Sequence, residues 1–247
     1  MFSMDGFPSP YYGRSDRRRA PRRVSRELLG DRRSSAFHRI WRARIDYTVH
    51  GDGSSSSSAM LLAGFRAHAT SWRYQIPSLI EAGHRVIAVD LPGHGTAPAT
   101  PHGTTMQTRA GFVHALIEEL DLQGVAIVGG SMGANTISSY VDSYGTGRLR
   151  AAVVVDQTPR MLNTPEWAYG FYGYDQEEVD TFFADGIPVL FVAGSDSEYW
   201  PSAHAAAAAA LAPNGASIVV PRAGHATNME RPHPFNKAVA ELFDSAS

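Results

Sequence analysis

The chain has no cysteine among its 247 residues, which excludes disulfides, thiol nucleophiles and zinc–thiolate sites. Lysine is almost as scarce, with Lys237 alone against 21 arginines. No apolar run approaches the roughly 18 residues that a bilayer-crossing helix needs, so no membrane span is expected. No dinucleotide glycine fingerprint follows any apolar run, and the histidines do not pair with carboxylates at metal-ligand spacing. Neither a cofactor nor a metal is therefore expected. The net charge is only −2, but it is unevenly spread. Residues 1–39 hold ten arginines against four acids, a local +6, which leaves −8 for the rest. A negative main domain does not suit a polyanion, so no nucleic-acid partner is expected.

What is present suits one large α/β domain or two small ones: 43% of the residues are hydrophobic, enough for a sizeable core. Residues 1–39 are rich in Arg, Ser and Pro without apolar periodicity, and read as a disordered extension. A secretory signal needs an apolar core of about 7–15 residues after its charges. None follows Arg17-Arg18-Arg19, so a cytoplasmic location is expected. The folded domain is placed at 40–247.

From Ile40 short apolar runs alternate with helical spacing. Trp41 to Val49 alternates as a first strand, and Gly51 to Ser58 reads as a flexible hairpin loop leading to Met60–Ala63. Trp72–Glu81 reads as a helix, Arg85–Asp90 as a strand and Thr105–Leu120 as a helix. Strands follow at Val125–Val128, Ala151–Asp156, Ile187–Gly194 and Ser217–Val220, and Pro234–Phe243 closes the chain as an amphipathic helix. This alternation predicts an α/β fold, a mostly parallel sheet with helices on both faces. Residues 157–186 interrupt it with a cluster of aromatics outside any strand, including Trp167, Tyr169 and Phe171. They are expected to form a short lid and to line a substrate pocket.

The strand Val125–Val128 runs directly into Gly129-Gly130-Ser131-Met132-Gly133. Gly-x-Ser-x-Gly at a strand-to-helix turn fits a nucleophile elbow. The turn is so tight that only glycine fits two residues either side of the serine, and the hydroxyl is held out above the sheet at a helix N-terminus.

Four motifs stand in order: Leu61-Leu62-Ala63-Gly64-Phe65, Asp90-Leu91-Pro92-Gly93-His94-Gly95, the elbow at 129–133, and Ala223-Gly224-His225 with Met229-Glu230-Arg231-Pro232. Through them residues 41–243 resemble the α/β-hydrolase family. The compact cap is most similar to small bacterial esterases and cofactor-free haloperoxidase-type enzymes. The resemblance implies that Ser131 is the nucleophile and His225 its base, and that the backbone N–H groups of Phe65 and Met132 form an oxyanion hole. It implies a structural rather than catalytic His94. It also implies an acid three residues after the glycine ending the penultimate strand, but that position is Ser197. Asp156, at the end of the preceding strand, is the acid expected here; Asp196 is the alternative, with Glu198 beside it. The implied activity is hydrolysis of a small carboxylic ester through a Ser-His-Asp triad and an acyl-enzyme. Perhydrolase or haloperoxidase chemistry, C–C bond hydrolysis on the same site, and a catalytically weak binding protein remain alternatives. The implied partner is a small ester-like molecule; oligomeric state is open.

Overall fold

A computed structural model describes residues 45–51, 55, 57–98, 105–157 and 186–246. The Arg-rich 1–39 segment lies outside these residues, as do Trp167, Tyr169, Phe171 and all of the expected lid except its ends, Gln157 and Gly186.

Seven strands form one sheet in the order β1-β3-β2-β4-β5-β6-β7. They are β1 (Asp46–His50), β2 (Ser58–Leu62), β3 (Arg85–Asp90), β4 (Val125–Gly130), β5 (Leu149–Val155), β6 (Val189–Gly194) and β7 (Gly215–Val220). Every pairing is parallel except β1 with β3, so the expected mostly parallel sheet is the one observed. One expectation fails. β1 and β2 are not a hairpin: β3 lies between them, and Asp46 pairs with Asp90 and His50 with Val86. A connection composed mostly of glycine and serine carries no turn signal that obliges its flanking strands to pair, and β3 offers β1 a full-length neighbour.

The described helices are α1 (Gln75–Glu81), α2 (Met106–Glu119), α3 (Met132–Tyr144), α4 (Ala203–Leu211), α5 (Thr227–Glu230) and α6 (Pro232–Ser245), with a 3-10 turn at Ala69–Trp72. The helix expected from Trp72 thus starts as a 3-10 turn and becomes α-helical only at Gln75. Pro77 falls in the first turn of α1, where an N–H has no intrahelical partner to lose. Pro232, at the start of α6, follows the same rule. Helix α4, Ala-His-Ala-Ala-Ala-Ala-Ala-Ala-Leu, was not anticipated from apolar periodicity; the high helix propensity of alanine accounts for it.

Alternate residues of the central strands divide the core into two layers. Met60, Leu62, Ile87, Val89, Ile127 and Val154 face α2, α3 and α4. Ala59, Leu61, Val86, Val128, Val153 and Val192 face α1, α6 and Trp72. Burial of both faces is why these strands read as continuous apolar runs. Two polar braces tie the loops at the carboxyl end of the sheet. Asp90 accepts from Ala69 N–H (2.6 Å), Thr96 N–H (3.0 Å) and the Thr96 hydroxyl (3.1 Å), which joins the loops after β2 and β3. Buried Gln75 donates to Asn228 O (2.9 Å) and Asn236 Oδ1 (2.8 Å), while Asn228 donates to Ser71 O (3.0 Å). This second network fastens the segment after β2 to the segment after β7.

At the opposite end of the sheet Arg150 donates to Ser57 Oγ (3.0 Å), which lies 2.9 Å from His84 Nδ1. Burial, with the Arg150 guanidinium second, lowers the His84 pKa from 6.5. Burial does the same to His50, His94 and His114. Below pH 6.5 the unfolded chain binds these protons and the folded one resists them, so stability is full above that pH and falls as the pH drops through it. We expect the melting temperature to fall steadily from pH 7.5 to pH 5, and the fall to be shallower in His84→Gln. A flat profile over that range would contradict the assignment.

Candidate active site

The site is built on the carboxyl ends of β4, β5, β6 and β7. Ser131 ends the run Val125–Gly130 with φ 51° and ψ −118°, a left-handed backbone that a non-glycine residue adopts at a cost of about 1–3 kcal/mol. Three contacts hold it there. Ser131 N–H donates to Val155 O of β5 (3.0 Å), and Ser131 O accepts from Ala134 N–H (2.9 Å) and Asn135 N–H (3.2 Å) as α3 begins.

The glycines of the elbow answer to close approach. A Cβ on Gly129 would lie 2.5 Å from Gly133 C, across the turn itself. A Cβ on Gly133 would run into Leu62 O at the end of β2. Gly130 differs, since its nearest neighbour would be the Trp72 ring at 3.8 Å, an ordinary contact. On the other side of the serine, a Cβ on Gly64 would lie 3.2 Å from Ser131 Cβ, so the loop after β2 presses directly on the elbow. Phe65 follows in that loop with its ring half exposed and edge-on to His94 (centroids 5.5 Å apart). Met132 is buried and is the first residue of α3, so its N–H precedes the first intrahelical bond.

Asp156 follows β5 with φ 47°, and its side chain is fully buried. Its Oδ2 lies 2.5 Å from His225 Nδ1 and accepts from the Ser197 hydroxyl (2.5 Å), while Oδ1 accepts from Gly194 N–H (3.1 Å). The structure therefore brings together Asp156 and His225, which are 69 residues apart in sequence. It does not bring Asp196 to them. Asp196 is exposed, and its carboxylate accepts from the neighbouring Ser195 hydroxyl (2.6 Å). Glu198 is also exposed. His94 is buried apart from the pair, with its Nδ1 at 3.0 Å from Pro92 O, and burial lowers its pKa.

Several contributors were not singled out from sequence. Glu230 accepts from Gly224 N–H (2.8 Å) and Ala226 N–H (3.2 Å), clamping the backbone on both sides of His225. Gly194 lies so close to Ala223 and Gly224 that a Cβ there would strike their carbonyls. Tyr199 sets its ring against His225, centroids 4.6 Å apart at 47°. The segment Met229–Pro232 is one of the motifs that carry the resemblance, but nothing in its spacing says that Glu230 reaches back to residue 224.

The pattern of known proteins agrees with this architecture. A family model described as alpha/beta hydrolase fold matches residues 60–187, and the chain belongs to that family. The chain is 32% identical over 111 residues to the non-heme chloroperoxidase of Kitasatospora aureofaciens, covering 45% of this chain and 40% of that protein. It thus spans well under two thirds of that curated relative. Among solved structures, a thermophilic esterase from Thermogutta terrifontis superimposes with a TM-score of 0.71 at 21% identity, over 82% of this chain and 93% of that one. A bromoperoxidase from Bacillus anthracis does so with a TM-score of 0.67 at 23% identity, over 81% and 95%. At these identities the two structures speak to the fold.

The elbow contacts separate three neighbouring glycines. Gly129→Ala and Gly133→Ala should each cost about 3 kcal/mol, because the added methyl meets backbone rather than a movable side chain. Gly130→Ala should stay within about 0.5 kcal/mol of the parent. Urea denaturation of the three variants measures this; equal losses at 130 and 133 would contradict it.

Proposed function

We propose that the chain is a serine hydrolase that cleaves a small carboxylic ester through an acyl-enzyme. Ser131 is the nucleophile, His225 the general base and Asp156 the acid behind it. The observation that carries the reading is the 2.5 Å contact of Asp156 with His225 Nδ1, at the same end of the sheet as the elbow serine.

A serine hydroxyl is a weak nucleophile at neutral pH and needs a base to take its proton as it attacks. Asp156 holds Nδ1–H of His225, which directs the lone pair of Nε2 outward as that base. Ser131 Oγ attacks the ester carbonyl carbon and His225 takes the hydroxyl proton. The carbonyl oxygen becomes an oxyanion that the N–H groups of Phe65 and Met132 receive. Collapse expels the alcohol, which leaves with the proton from His225. Water then gives a proton to His225 and its hydroxide to the acyl carbon; the acid departs and Ser131 Oγ recovers its proton. The aromatic composition of 157–186, with Trp167, Tyr169 and Phe171, favours a small apolar acyl or alcohol group.

The likeness to a non-heme chloroperoxidase favours a second reading, perhydrolysis on the same residues. Hydrogen peroxide would then replace water at the acyl-enzyme, and the acyl group would leave as a peracid. Halogenation that requires both peroxide and a carboxylic acid distinguishes it from plain ester turnover.

A fluorophosphonate probe should label Ser131 in the folded protein and fail to label Ser131→Ala. Asp156→Asn should lower kcat by about 10⁴, as loss of the triad aspartate can, and Asp196→Asn should leave it within about twofold. An unlabelled Ser131, with no turnover across a panel of esters, would leave only a binding role for this fold.

A further inference from the structure

We infer that Ser197 is a positioning residue, whose hydroxyl locks the plane of the Asp156 carboxylate against His225. The inference rests on the hydrolase reading for its consequence in catalysis, but its contacts stand independently of that reading.

A serine hydroxyl has one proton to give and two lone pairs to receive with. Both lone pairs of Ser197 Oγ face backbone donors, Tyr199 N–H at 3.3 Å and Trp200 N–H at 3.4 Å. The proton is thereby left one direction, toward Asp156 Oδ2 at 2.5 Å. The rotor is set by the turn that carries it, since Ser197 N–H also closes on Gly194 O (3.3 Å).

Asp156 needs such a partner. Gly194 N–H holds only Oδ1 (3.1 Å), and a carboxylate fixed at one oxygen can swing about that bond. Ser197 binds the other oxygen, and it binds the same atom that faces His225 Nδ1. Two donors on Oδ2 and one on Oδ1 define the carboxylate plane and satisfy a charge that has no access to water. The turn acts on the imidazole as well: Tyr199, whose N–H helps to set Ser197, packs its ring against His225. Ser197 is half-buried between exposed Asp196 and Glu198, so of these three residues it is the one that points inward. The serine in the turn after β6 thus supports an acid contributed by another strand, β5.

The test compares Ser197→Ala with Ser197→Thr, which keeps the hydroxyl, in the full chain. With p-nitrophenyl acetate as substrate, Ser197→Ala should lower kcat by about ten- to a hundredfold with KM within about twofold, the loss of one hydrogen bond to a charged group. Ser197→Thr should remain within about threefold of the parent. The low-field proton resonance of His225 Nδ1–H, identified by its absence in His225→Gln, should shift or broaden in Ser197→Ala and persist in Ser197→Thr. If Ser197→Ala does not fold, Ser197→Cys, similar in volume and a weak donor, takes its place. An unchanged resonance and unchanged kcat in the hydroxyl-free variant overturn the inference, even with Ser131 labelled by the fluorophosphonate. An unlabelled Ser131 with a resonance that does depend on the hydroxyl overturns the hydrolase reading and supports the contact.

Discussion

Asp156 is the constraint on which the arrangement depends. A carboxylate taken wholly out of water costs several kcal/mol unless its lone pairs are met by donors. Here the donors come from three places: Gly194 at the end of β6, Ser197 in the turn beyond it, and His225 in the loop after β7. They converge only if β5, β6 and β7 are in their parallel register, with Val155 beside Val192 and Gly194 beside Val220. The burial of one charge is therefore coupled to the pairing of three strands. The glycine at 194 makes this approach sterically feasible, because the loop carrying His225 crosses it at backbone contact.

The elbow is a constraint of another kind, met by sterics rather than by charge. Gly129 and Gly133 let α3 leave β4 without a gap, and the end of β2 packs into that bend. Ser131 keeps its left-handed backbone because β5 and α3 both bond to it. Around the two centres, polar groups hold the loops in place: buried Asp90 behind the loop after β2, buried Gln75 and Asn228 between that loop and the last one, and half-buried Glu230 on either side of His225. Fully satisfied networks of this sort rigidify a site, which a mechanism that depends on preorganised geometry requires.

Much of this was legible beforehand where chemistry is local. The buried strands announced themselves as apolar runs, and Gly129-x-Ser131-x-Gly133 announced a turn that only glycine tolerates. Boundaries drifted by a few residues, as at β6, expected from Ile187 and observed from Val189. Helix α4 escaped because a run of alanines has propensity but no amphipathic period. The pairing of β1 with β3 escaped because a loop of glycine and serine does not select a neighbour. The carboxylate was the hard choice. Asp156 and Asp196 both follow strands that end at the same side of the sheet, and spacing from His225 does not rank them. What separates them is side-chain direction: Asp196 donates its backbone N–H to Ala223 O and its carboxylate accepts from the Ser195 hydroxyl, while Asp156 turns inward.

The sequence by itself determined the α/β alternation, the elbow and the candidates Ser131, His225, Asp156 and Asp196. The alternation and the elbow follow from forces between residues close in the chain: backbone sterics at glycine, strand propensity and the period of apolar side chains. The roles of the four candidates come from the ordered motifs through which the chain resembles its family. Only the tertiary structure decided which carboxylate meets His225, that Ser197 braces it, that Glu230 clamps the histidine loop and that β3 separates β1 from β2. Each of these is a contact across the sheet or between loops from different strands. Such contacts depend on register and on side-chain direction at a strand's end, and neither is written in the spacing of residues along the chain.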